Sequence, residues 1–118
     1  MTKELINYDT FSKLDIRVGT IVSAEVVPDA DKLLRLMVDL GEEEPRQIVS
    51  GIRERVDDPN ALVGTQTTFV CNLEPRTIRG LESNGMLFAL GVPTETEDDA
   101  GLVLLRPEST VPAGTIAI

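Results

Sequence analysis

Leu14-Asp15-Ile16-Arg17-Val18-Gly19-Thr20-Ile21-Val22-Ser23-Ala24-Glu25-Val26-Val27 is the stretch on which the fold class turns. Its even positions read Leu14, Ile16, Val18, Thr20, Val22, Ala24 and Val26, while Asp15, Arg17, Gly19, Ser23 and Glu25 fall on odd positions. Apolar residues recurring with period two over so long a run belong to a half-buried β-strand. Gly19 suggests a bend or bulge inside it. The strand is expected to stop at Pro28-Asp29-Ala30-Asp31, since Pro lacks a ladder donor and Asp favours turns. The same alternation resumes at once, with Leu34, Leu36, Val38 and Leu40 on one face and Arg35, Met37 and Asp39 on the other.

Further along, Gly41–Pro45 reads as a charged hairpin connection into a third strand, Arg46–Ser50. Asp58-Pro59 has the form of an N-cap followed by proline at the first helical position, predicting a short helix over Pro59–Leu62 stopped by Gly64. Thr67–Leu73, Gly85–Val92 and Leu102–Arg106 read as further strands, the last two separated by the acidic Pro93–Gly101 loop. Pro107–Ile118, with two prolines and a glycine, is expected to be extended and docked. Five or six short strands with one short helix after the third give an all-β chain, in the order of an OB-fold five-stranded barrel with a C-terminal extension. Pattern alone does not separate that barrel from a small sandwich.

Composition removes whole classes of chemistry. The chain has 118 residues, 11 Lys or Arg against 20 Asp or Glu, a net charge of −9, no His and one Cys. That length predicts one domain spanning residues 1–118. Without His there is no Ser/His/Asp or Cys/His nucleophile pair, no His-ligated zinc and no imidazole acid–base step. The lone Cys71, within an apolar run, excludes an internal disulfide framework and suits a reducing, cytoplasmic compartment. No run of about 18 apolar residues is present, so no membrane span is expected. Asp29/Asp31, Asp57-Asp58 and Asp98-Asp99 are carboxylate pairs of a kind that can hold Mg²⁺ or act as acid and base, but all lie in turn-like sequence where Asp caps and turns. The chain is therefore expected to be neither a self-sufficient enzyme nor a metal or cofactor protein.

Net charge opposes nucleic-acid binding at long range, yet the charges are unevenly spread. The acids concentrate in Glu42–Glu44 and in the segment from Pro93 onward, leaving Lys13, Arg17, Lys32, Arg35, Arg46, Arg53, Arg55, Arg76 and Arg79 for the barrel body. Arg17 and Arg35 share the polar parity of the first two strands, so two readings stand: a local basic groove, or cations that merely solvate a strand face. Ser83-Asn84-Gly85-Met86 mixes hydrogen-bonding and flexible apolar groups, suited to a ribose or an extruded base and equally to a turn leading into a core strand. Ile21 and Met37, apolar at odd positions, are expected to be exposed and would suit a peptide-binding surface.

Lys13-Leu14-Asp15-Ile16-Arg17-Val18-Gly19, Asp29-Ala30-Asp31-Lys32-Leu33, Val49-Ser50-Gly51-Ile52, Asn72-Leu73-Glu74-Pro75-Arg76 and Ser83-Asn84-Gly85-Met86-Leu87 occur in that order. Together they resemble the tRNA-binding domain found at the C-terminus of many methionyl-tRNA synthetases, as a freestanding tRNA-binding protein, and in the endothelial monocyte-activating polypeptide II family. The likeness covers about residues 8–118. It implies an OB barrel whose C-terminal extension helps form a homodimer, and shape-directed binding to the outer corner of tRNA. It further implies a non-catalytic role beside a methionyl-tRNA synthetase catalytic subunit. Lys32, Ser83 and Met86 match the motif positions associated with tRNA contact, and Asn72, Arg76 and Arg79 lie where further contacts would fall; Arg35 joins them from its strand position. A secretion-chaperone-like branch of the same family implies the alternative, a protein-interaction module.

Overall fold

The structure, a computed structural model, describes residues 2–95 and 101–118. Strands β1 (Ile16–Val26), β2 (Leu34–Asp39), β3 (Arg46–Ser50), β4 (Gln66–Val70), β7 (Met86–Val92) and β8 (Gly101–Leu104) form a six-stranded sheet in the order β3-β2-β1-β4-β7-β8. A separate hairpin joins β5 (Arg76–Ile78) to β6 (Leu81–Ser83). Every pairing is antiparallel. The sheet curls until β3 approaches the start of β7: the Asn84 N–H donates to the Gln47 carbonyl at 2.9 Å. Strands β1, β2, β3, β4 and β7 thus close an OB-like barrel, and β8 extends it.

The strand β1 can serve both halves of the barrel because it is 11 residues long. Its first half, Ile16–Thr20, pairs with β4, and its second half, Thr20–Val26, with β2. The register slips between Ile21 and Ser23, where one extra residue is accommodated. A bulge of this kind exchanges the two faces of a strand. The uniform even-position face read from the sequence is accordingly wrong. Gly19 and Ile21 point into the core before the slip and Ala24 after it, while Val22 and Val26 are half exposed. Gly19 is not the bulge. It is a packing position: a Cβ there would lie 2.5 Å from Val38 Cγ1 and 3.0 Å from the Phe69 ring. The expected exposure of Ile21 fails for the same reason.

The second strand behaves as its alternation predicts, with Leu34, Leu36, Val38 and Leu40 buried beside Ile48 and Phe69. Pro59–Leu62 is a 3₁₀ turn capped by Asp58, whose carboxylate accepts from the Asn60 N–H at 3.1 Å. Gly64 ends it at a positive φ of 85°. A second 3₁₀ turn, Arg53–Arg55, and a short helix α1, Tyr8–Phe11, were not expected. The fourth strand stops at Val70 rather than Leu73. The tail docks as expected: Gly114 N–H and Ala117 N–H donate to the carbonyls of Val18 and Ile16, and Val18 N–H donates to Thr115. It runs along β1 where β2 has not yet joined. Asp98 and Asp99 lie outside the described residues.

Candidate nucleic-acid interface

The outer face of β2 and β3 carries Arg35, Met37 and Gln47, with Val49, registered opposite Arg35, buried beneath the hairpin that covers part of this face. Hairpin β5–β6 leans on this face. Its two-residue turn, Arg79-Gly80, has both residues at positive φ, 51° and 79°, which matches the right-handed twist of the flanking strands. The hairpin is held by side-chain chemistry from both sides. Gln47 Nε2 donates to the Glu82 carbonyl at 2.8 Å, and the Val49 N–H donates to Ser83 Oγ at 3.0 Å.

A cleft of about 120 Å³ opens between hairpin and barrel, lined by Val49, Leu73, Glu74, Arg76, Ile78, Ser83, Gly85 and Met86. The structure therefore brings Arg76, Ser83 and Met86 together. Met86 and Leu73 are exposed there, offering an apolar contact beside a guanidinium. Arg79 projects from the hairpin tip and Lys32 from the β1–β2 turn, both exposed. A wider groove of about 620 Å³ adjoins the cleft and is lined by Met37, Pro45, Leu73 and Pro75, with Glu44 and Glu82 among its polar residues.

Pairing divides the cations. Arg17 makes a two-pronged contact with Asp15 at 2.9 and 3.0 Å. Arg46 does the same with Glu42, both bonds 2.8 Å, and its Nη1 also donates to the Cys71 carbonyl at 2.7 Å. These hydrogen bonds hold the Asp15 and Glu42 carboxyls below their ordinary range, so both acids stay charged and both arginines stay neutralised. Burial pushes the Cys71 thiol up, away from thiolate chemistry. Lys32, Arg53, Arg76 and Arg79 have no acidic partner among the described residues. Arg53 is one of the barrel-body cations but not among the expected tRNA contacts; its backbone N–H donates to the Lys32 carbonyl at 3.1 Å, which places it next to Lys32. Only the tertiary contact reveals that neighbour.

Two of the sequence-derived residues are spent internally. Asn72 Oδ1 accepts from the Asp15 N–H at 2.9 Å and its Nδ2 donates to the Lys13 carbonyl, so its amide clips the start of β1. Ser83 is buried, accepting from Val49 and donating to the Gly85 carbonyl at 3.1 Å. Replacing Ser83 by Ala leaves the Val49 N–H without its acceptor. Denaturant unfolding is expected to show a loss of about 1–3 kcal/mol, whereas a change under 0.5 kcal/mol would show that the hydroxyl is dispensable to the fold. Arg35 lies between these groups, donating from Nε to Gln47 Oε1 and only loosely, at 3.5 Å, to Glu25. Among the described residues no group of three or more potential metal-ligating side chains converges, and no helix is long and apolar enough to cross a membrane.

Residues 16–116 match the family described as "Putative tRNA binding domain". The chain belongs to this tRNA-binding domain family. Methionine--tRNA ligase of Methanococcoides burtonii is 52% identical over 113 residues, covering 96% of this chain but only 16% of that protein. The tRNA-binding domain thus spans about a sixth of that relative. The solved structure of a MetRS-related protein from Pyrococcus horikoshii superposes with a TM-score of 0.83 at 35% identity, covering 98% of this chain and all of that one. The chaperone CsaA from Bacillus anthracis superposes with a TM-score of 0.80 at 32% identity over the same fraction of this chain.

Proposed function

We propose that this tRNA-binding domain docks the outer corner of tRNA by shape, without a catalytic step of its own, as a β subunit or auxiliary protein of methionyl-tRNA synthetase. The observation that carries this reading is the division of the cations. Arg17 and Arg46 are neutralised by acids in place, whereas Lys32, Arg53, Arg76 and Arg79 remain available on the β2–β3 side and its hairpin. Free cations neutralise phosphates and release condensed counterions, which makes binding salt-dependent. The apolar cleft at Met86 and Leu73 would receive an exposed base or ribose beside Arg76. In this reading Ser83 and Asn72 support the site from behind, through the backbone bonds described above.

The domain is further proposed to act as a homodimer. Phe88 and Leu90 on β7 and Val103 on β8 form an exposed apolar stripe, Leu90 lying opposite Val103 in register. Titrating bulk tRNA at two salt concentrations tests the main reading: saturable binding that weakens steeply with salt is expected, and its absence overturns the proposal. The resemblance to CsaA, together with the wider groove and its Glu44 and Glu82, favours a second reading as a protein-interaction module. Binding of unfolded polypeptide that survives high salt and tolerates Lys32→Ala would select that reading instead.

A further inference from the structure

Gln47 stands at the crossing of three elements. Its Oε1 accepts from Arg35 Nε on β2, its Nε2 donates to the Glu82 carbonyl on β6, and its own carbonyl accepts the Asn84 N–H that closes the barrel. A guanidinium only donates and a backbone carbonyl only accepts, so these two partners fix the amide in one orientation. Glu at this position would accept from Arg35 but offer nothing to Glu82, and a hydrocarbon would serve neither. The alternative partner for Arg35 is Glu25, which reaches it only at 3.5 Å and is itself exposed. Hairpin β5–β6, for its part, meets β3 through Gln47 and Ser83, and it carries Arg76 and Arg79.

We infer that Gln47 is a positioning residue for the tRNA site: its side chain orients the Arg35 guanidinium, whose Nη1 also reaches Glu25 at 3.5 Å, and ties the hairpin that carries Arg76 and Arg79 to the same barrel face. This inference rests on the proposed tRNA-binding reading for its purpose, and on the Arg35–Gln47–Glu82 chain for its geometry. Removing the amide leaves Arg35 with Glu25 as its remaining partner among the described residues and frees the hairpin to drift relative to Arg35. Gln47 itself need not touch RNA.

A double-mutant cycle with bulk tRNA at low salt tests the coupling, using Gln47→Leu, Arg35→Ala and the pair. Gln47→Leu is expected to weaken binding by about fivefold, shrinking to about twofold or less when Arg35 is already Ala, because interacting sites are non-additive. An equal loss in both backgrounds, or no loss, overturns the inference. A tRNA-free readout separates this from failure of the functional reading: the NMR signal of Arg35 Nε–H. Slow solvent exchange is expected in the parent protein and in Gln47→Glu, with fast exchange in Gln47→Leu. Fast exchange in the parent overturns the positioning role whether or not tRNA binds. Slow exchange in a protein that does not bind tRNA overturns the proposed function and leaves the link itself standing.

Discussion

Combining Lys32→Ala, Arg76→Ala and Arg79→Asn is expected to lower tRNA affinity by about a hundredfold at low salt and to flatten its salt dependence. Each cation that neutralises a phosphate contributes about 0.7–0.9 to the slope of log affinity against log salt, so losing three should reduce the slope by about two to three. Asn rather than Ala is chosen at position 79 because that residue sits at a φ of 51°, which Asn tolerates. All three side chains are exposed, and none forms an ion pair or hydrogen bond among the described residues. Fold stability should therefore move by no more than about 0.5 kcal/mol. A loss confined to affinity, measured by filter binding with thermal melts alongside, supports the assignment. Affinity retained within twofold would remove these residues from the interface. Arg17 and Arg46 make the contrasting case, since their charges are already matched by Asp15 and Glu42.

The largest effect on stability is expected at Phe69. Its side chain is fully buried, its strand position pairs with Arg17 on β1 and Leu87 on β7, and its ring packs against the space left by the missing Cβ of Gly19. Phe69→Ala removes a buried aromatic from the middle of the barrel and leaves a cavity that β1, tied on both edges, cannot collapse into. Such truncations cost about 3–5 kcal/mol, a large part of the about 5–15 kcal/mol that holds a domain of this kind folded. A melting temperature lower by about 10–20 °C is expected for a domain of this size. A denaturant-derived loss below about 1.5 kcal/mol would mean that Phe69 does not anchor the core.

Local pattern was legible wherever one side of a strand simply alternates. Leu34 to Leu40 needs nothing beyond period two, Arg46–Ser50 is placed by the charged connection before it, and Asp58-Pro59 needs only the chemistry of a cap. Pattern misplaces the faces of the first strand because Val18, Val22 and Val26 continue an even-position alternation straight through the slip at Ile21–Ser23. Those residues are β-branched whether they face core or solvent, so composition carried no sign of the exchange. Pattern does not show the hairpin β5–β6 because Arg is an unusual residue at positive φ; Gly80 following Thr77-Ile78-Arg79 is the available signal.

The candidate site divides in the same way. Lys32, Arg76 and Met86 follow from motif positions, Arg79 from its place just beyond one of them, and Arg35 from strand parity. The structure gathers Arg76 and Met86 at one cleft, with Arg35 one Gln47 away from the hairpin. Ser83 and Asn72 have the polarity of ligand-binding residues, but their hydrogen-bonding capacity is directed to Val49, Gly85, Asp15 and Lys13. A side chain's donors and acceptors are known from its type, while their partners depend on what folds against it.

By itself the sequence determined the barrel's main alternations, the family and the residue types at the motif positions, because these depend on local periodicity and order along the chain. Only the tertiary structure decided which charges remain available. Arg46 is neutralised by Glu42 four residues away and anchored to the Cys71 carbonyl 25 residues away, whereas Arg76 forms no ion pair among the described residues. Net charge sums over the whole chain and cannot distinguish these cases. Screening and pairing act over a few ångströms, so a chain of net charge −9 can still present free cations at one face.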